Sequence, residues 1–131
     1  PISGGVIVTT PQAVSLEDAS RGLYMFKQLE IPILGVIENM SFLELPDGQI
    51  MEIFGSGGGE ALANEAQTEF FGKIPLASDV RVGGDTGEPI VISQPDSKAA
   101  VALKHVSELI AARLSMAALD RNSVIQLEIV E

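Results

Sequence analysis

Cysteine is absent from all 131 residues, and with it go disulfides, cysteine-based zinc sites and thiolate-ligated iron–sulfur clusters on this chain. Basic residues are scarce: eight Lys and Arg, scattered from Arg21 to Arg121 without a run, stand against eighteen Asp and Glu. A net charge of −10 is the wrong sign for nucleic acid or an anionic membrane, where binding needs clustered cations. An acidic surplus of this kind serves solubility. No apolar stretch approaches the roughly 18 residues of a membrane span, and no basic-then-apolar signal segment opens the chain. A cytoplasmic protein is expected. Tryptophan is missing and aromatic residues make up only 5%, yet 46% of the chain is hydrophobic. That is a globular composition, and the length suits one domain with its own core. The chain opens with Pro1 rather than Met, as a fragment or a processed product would.

The hydrophobic residues fall in an α/β pattern. Gly4-Gly5 leads into Val6–Thr10, a continuous β-prone run without polar alternation. Such a run reads as a central strand covered on both faces, the kind found in parallel sheets. Pro11 ends it, and Ser15-Leu16-Glu17-Asp18 resembles a capping box that would place Ser15 at a helix N-terminus. Leu16, Ala19, Leu23, Phe26 and Leu29 then form one apolar helical face. After Pro32, Ile33–Ile37 is a second buried strand, so the first 37 residues predict a right-handed βαβ unit.

Beyond it, Glu38 to Ile53 reads as loop with a turn at Pro46-Asp47-Gly48. A short helix follows Ser56–Gly59, Phe70–Ile74 is a third strand, and Asp79–Glu88 has room for one helical turn. Pro89–Ile92 reads as extended, and a long helix opens at Ser93-Gln94-Pro95-Asp96 with proline in its first turn. The stripe of that helix is Leu103, Val106, Ile110, Leu114 and Ala117. The final residues alternate Ile125, Leu127 and Ile129 with Gln126 and Glu128, a half-buried strand. Residues 1–118 are thus expected to be one α/β unit and 119–131 a tail with a short strand. A central first strand with nothing before it to pair with is inconsistent, and missing upstream strands would resolve it.

Ligands of open α/β sheets bind beyond the carboxyl ends of the strands, here Thr9–Gln12, Glu38–Ser41 and Pro75–Ser78. Asn39 is the notable member, because a carboxamide donates and accepts and so suits a purine edge. It equally suits capping a strand and bonding its own loop. Gly55-Ser56-Gly57-Gly58-Gly59-Glu60 carries Glu where a dinucleotide fingerprint needs a small residue, so it reads as a turn leading into a helix. There is no Walker A sequence; the only Gly-Lys pair, Gly72-Lys73, runs into Ile74. His105, the sole histidine, lies off its helix's apolar stripe and reads as exposed. No catalytic set and no metal-ligating set emerges.

Several blocks in order carry a family resemblance. Gly5–Gln12, Leu34-Gly35-Val36-Ile37-Glu38-Asn39-Met40-Ser41, Glu52–Gly59, Gly72–Leu76 and Gly87–Val91 resemble the C-terminal portion of the Mrp/ApbC family, which are MinD/ParA-like P-loop ATPases. The resemblance covers residues 1 to about 115. It implies a partial three-layer P-loop NTPase fold, a mostly parallel sheet with flanking helices, lacking its N-terminal half. It also implies a dimeric ATPase that assembles or carries iron–sulfur clusters for apoprotein clients, using ATP and Mg in the complete protein. Asn39 matches the residue that reads adenine, and Pro75 and Leu76 match another wall of that pocket. The family's phosphate-binding loop, lysine and magnesium ligands fall upstream of Pro1, so this chain alone is not expected to hydrolyse ATP. Many members carry Cys-x-x-Cys shortly after the Asn-Met-Ser signature. Here that segment offers Glu44 and Asp47, hard ligands in place of soft ones, and no cluster is expected on this chain. The alternatives are a non-catalytic half-fold that binds proteins through an exposed sheet edge, to which Val124–Val130 would contribute, and a MinD/ParA-like ATPase without a cluster role. The second of these would want a basic amphipathic helix for membranes, which the C-terminal stretch lacks.

Overall fold

The computed structural model describes residues 2–122. The β-prone run becomes strand β1 (Gly5–Thr9), followed by helix α1 (Ala13–Gln28) and strand β2 (Ile33–Glu38). β1 and β2 pair in parallel, with Ile7 opposite Val36 and Thr9 opposite Glu38. The region expected to be loop holds a small antiparallel hairpin, β3 (Leu43–Glu44) with β4 (Ile50–Met51), closed by the Pro46-Asp47-Gly48 turn. Helix α2 (Gly58–Glu65) leads to β5 (Glu69–Lys73), which adds in parallel to β2. Helices α3 (Ser78–Thr86), α4 (Ile90–Ser93) and α5 (Lys98–Asn122) complete the described chain. The expected strand at Ile125–Ile129 lies outside the described residues, and α5 continues past residue 118 to Asn122.

The sheet order is β1-β2-β5, and it has helices on both faces. On one face Ile7 and Val36 pack with Ala19 and Leu23 of α1 and with Leu62 and Ala63 of α2. On the other, Leu34, Ile37, Phe71 and Ile74 receive Val106, with Leu103, Leu109, Ile110 and Leu114 of α5 around it. The successive phenylalanines of β5 divide between the layers, Phe70 toward α1 and α2 and Phe71 toward α5, as a period of two requires. This is a three-layer α/β/α arrangement. No described helix is long and apolar enough to cross a membrane.

Several local expectations are corrected. β1 reads as a central strand, but among the described residues it pairs only with β2, and Val8 is 58% exposed. Ser15 does not cap α1: the helix begins two residues earlier, and Ser15 Oγ lies 2.7 Å from Thr10 Oγ1. Leu29, placed on the apolar face by spacing, sits past the last turn and is exposed. α3 runs nine residues rather than one turn, and α4 is a helical turn where an extended piece was expected. α5 starts after Pro95, with Ser97 as its N-cap: Ala100 N–H donates to Ser97 Oγ at 3.2 Å.

Candidate functional site

The carboxyl ends of the strands are laced together by backbone hydrogen bonds that outlast the sheet. Asn39 N–H donates to Thr9 O (2.7 Å), Ile74 N–H to Glu38 O (2.8 Å), Ser41 N–H to Ile74 O (3.0 Å) and Leu76 N–H to Phe42 O (2.8 Å). Asn39 therefore sits at the tip of the middle strand, half-buried, with Met40 beyond it in the left-handed region at φ 51°. Its Oδ1 accepts the Met40 N–H at 2.9 Å, so half of the carboxamide is engaged with its own loop. The loop-bonding role weighed from sequence is present, and the Nδ2 donors are the half that remains for a ligand.

Two cavities open at this end, and they divide the expected site residues. A groove of about 480 Å³ runs along the outer edge of β1 against α1, and Thr9, Thr10, Ser15, Asp18, Met25 and Asn39 are among its lining. Pro75, which is buried, and Leu76, which is half-buried, line a separate cavity of about 260 Å³ with Glu44, Asp79 and Lys98. Asn39 and the Pro75-Leu76 turn thus occupy neighbouring strand ends but do not share one cavity.

Sequence reasoning passed over Glu38. It is fully buried at the end of β2, and its two oxygens are both occupied. Oε2 accepts a hydrogen bond from Ser41 Oγ, and Oε1 accepts the Gly59 N–H at 2.9 Å. Helix α2 starts from a left-handed Gly57 with no side-chain cap of its own. The Glu38 carboxylate, reaching over from β2, occupies the first turn that a cap would serve, where the helix dipole favours negative charge. This offsets the cost of burying a carboxylate away from water. It also explains glycine at position 59, where a Cβ would lie 2.8 Å from Glu38 Cβ. The Gly55–Gly59 stretch is accordingly a turn into a helix, and that helix's first-turn amide is already committed. The signal available in sequence was an acidic residue closing an otherwise apolar strand, three residues ahead of a serine.

The chain carries no Walker A sequence with which to cradle phosphates. Lys73, of the lone Gly-Lys pair, is the exposed last residue of β5. For a metal cluster as cargo the donors do not fit. The chain has no cysteine, and among the described residues no group of three or more His, Cys, Asp or Glu side chains converges. The two hard candidates are used locally, Glu44 by an ion pair with Lys98 and Asp47 by accepting the Gln49 N–H in the hairpin turn. His105 is exposed on α5, as its place off the apolar stripe predicts.

A parallel sheet between two helical layers, with polar residues gathered at its carboxyl edge, defines the class as an open three-layer α/β fold. Residues 1–111 match the family described as ParA: NUBPL iron-transfer P-loop NTPase, and the chain belongs to that family. The iron-sulfur cluster carrier protein of Synechocystis sp. is 52% identical over 122 residues, which is 91% of this chain and 34% of that protein. The iron-sulfur cluster transfer protein NUBPL of Dictyostelium discoideum is 41% identical over 123 residues, 93% of this chain and 38% of that one. Among solved structures, a nucleotide-binding protein of Archaeoglobus fulgidus in complex with ADP aligns with a TM-score of 0.60 at 31% identity, covering 74% of this chain and 39% of that chain. The cell division ATPase MinD of Pyrococcus furiosus aligns at 0.66 over 84% of this chain and 43% of its own; at 24% identity that is a likeness of fold. The chain spans about a third of the length of the curated relatives it matches.

Proposed function

We propose that these residues form the base-side half of an ATP-binding iron–sulfur cluster carrier. Asn39 reads the adenine edge, and Pro75 and Leu76 supply a further wall of the base pocket when the whole protein closes around ATP. The phosphates and magnesium are held by parts of the whole protein outside this segment, and bound ATP supplies the phosphoryl bond whose cleavage drives the cycle. The observation that carries the reading is Asn39 itself, a half-buried carboxamide at the tip of the middle strand, with its donors unspent and a groove of about 480 Å³ beside it. In the whole protein, Asn39→Ala is expected to lower the preference for ATP over GTP about tenfold, the worth of one hydrogen bond to a base. Unchanged discrimination, measured by competition binding, would reject the assignment.

The whole protein acts as a homodimer that delivers clusters to apoprotein clients. Supporting a protein-facing surface here, Met40, Ile50, Met51 and Ile53 are all exposed on and beside the β3–β4 hairpin. The cluster is not held by this segment, since no thiolate is available to it. Anaerobic reconstitution of the purified chain with iron and sulfide should therefore leave no stoichiometric visible absorption, and a full cluster per chain would overturn that.

A second reading, a non-catalytic half-fold that binds a partner through a sheet edge, is favoured by the open side of β1 and the exposure of Val8. It predicts a stable oligomer in the absence of nucleotide, visible by light scattering.

A further inference from the structure

We infer that Glu38 is a positioning residue for Asn39: its buried carboxylate, tied to Ser41 and to the first turn of α2, sets the loop from which Asn39 presents its amide. Only the ligand named for Asn39 rests on the proposed function; the positioning itself rests on the hydrogen bonds. Asn39 lies between the two residues of the Glu38–Ser41 bond, so that bond closes a four-residue loop with Asn39 and Met40 at its turn. The loop is not one the backbone adopts unaided. Met40 stands at φ 51° without being glycine, a conformation that persists where neighbours over-determine it.

The neighbours doing so converge on Glu38 from three elements. Its backbone oxygen takes the Ile74 N–H after β5, its Oε1 takes the Gly59 N–H of α2, and its Oε2 takes the Ser41 hydroxyl of the loop. The carboxylate is fully buried and Ser41 is 3% exposed, so neither bond competes with water. One side chain therefore links the Asn39 loop to the first turn of α2. A displacement of α2's first turn would be felt at Asn39.

The alternative, that Glu38 serves only to cap α2, makes a different prediction. Ser41→Ala removes the loop bond and leaves the Gly59 bond in place; Glu38→Ala removes both. Glu38→Gln keeps both in reversed polarity at Ser41, with the amide donating to the hydroxyl and the amide oxygen accepting from Gly59. The test uses the longest natural polypeptide that carries these residues, with two readouts: amide hydrogen exchange at Met40 and at position 41, and the ratio of ATP to GTP affinity measured with ribose-labelled fluorescent analogues.

In Ser41→Ala, exchange at both amides is expected to quicken by about tenfold and the ATP preference to fall by a similar factor, one charge-assisted hydrogen bond's worth. The melting temperature should fall as well, because Glu38 Oε2 is left buried without its partner, and Glu38→Gln, which keeps both bonds, should hold both readouts near wild type. Wild-type exchange and wild-type selectivity in Ser41→Ala would overturn the inference and leave Glu38 as a helix cap. Should Glu38→Ala fail to fold, the Ser41→Ala result decides alone. Asn39→Ala is the control for the ligand. If it leaves the ATP to GTP ratio unchanged, the base-reading proposal fails while amide exchange still decides the positioning. If it lowers the ratio while Ser41→Ala changes neither the ratio nor the exchange, base reading stands and positioning falls.

Discussion

Glycine at position 59 and glycine at position 84 both stand inside helices, and local propensity treats them alike. Replacing either by alanine should gain up to about 1 kcal/mol in a helix interior. Their surroundings separate them. A Cβ at Gly84 meets nothing within 4 Å, so Gly84→Ala is expected to stabilise by about 0.5–1 kcal/mol in chemical denaturation. A Cβ at Gly59 would lie 2.8 Å from Glu38 Cβ, an atom next to the backbone of a fully buried residue that has no room to retreat. Overpacking of that kind costs about 1–3 kcal/mol and outweighs the propensity gain, so Gly59→Ala is expected to destabilise. Equal effects at the two positions would mean that Glu38 does not sit against α2 as described. The same contrast marks the limit of legibility. Asn39 stood out from sequence because its side chain is polar at a strand end. Glu38 carries only the local hint of a serine three residues on, and its second partner, Gly59, lies twenty-one residues away, where no local pattern reaches.

At the scale of elements, what was legible tracks how much of each element's stability is local. β1, α1, β2 and β5 announce themselves through runs and spacings, and each was placed within a few residues. The errors gather where capping and turn chemistry had to be chosen among competing serines and prolines. Ser15 carries a capping-box pattern yet lies inside α1 bonded to Thr10, whereas Ser97, with no such pattern, caps α5 through the Ala100 amide. Ser97→Ala is therefore expected to cost about 1 kcal/mol of stability. Ser15→Ala should stay within about 0.5 kcal/mol, because the better helix propensity of alanine offsets one lost hydroxyl contact. Paired thermal melts of the two variants check this, and the reverse order would restore the sequence-based assignment. α3 and α4 were under-read for a related reason. α3 is rich in glycine and closes on itself with Glu88 N–H donating to Gly83 O at 2.9 Å, and its contact with α4 rests on Val80 against the buried Ile90 rather than on a repeated apolar period. The β3–β4 hairpin leaves no periodic signal because each strand is only two residues long.

Over the whole molecule, the sheet has a finished side and an open one. On the inner side of the described chain β2 is covered by helices above and below, and its residues from Leu34 to Glu38 are all buried. β1 has the composition of such a strand without its setting. Its outer edge faces a groove rather than a partner among the described residues, with Val8 more than half exposed. The curated relatives that this chain matches are about three times as long as it is, and the residues here include the carboxamide proposed to read the base but no lysine-bearing phosphate loop. Phosphoryl transfer depends on positioning and on neutralising the phosphate oxygens, work done by a backbone cradle, a lysine and magnesium together. An acidic chain of net charge −10 without that cradle opposes the charge it would have to stabilise. Purified residues 1–131 incubated with ATP and magnesium are therefore expected to release phosphate no faster than buffer, while the longest natural polypeptide containing them turns ATP over. If this segment by itself released phosphate, and Asn39→Ala abolished the release, the phosphate chemistry would have to reside in the residues described, and the division of labour proposed for the two parts of the fold would be wrong.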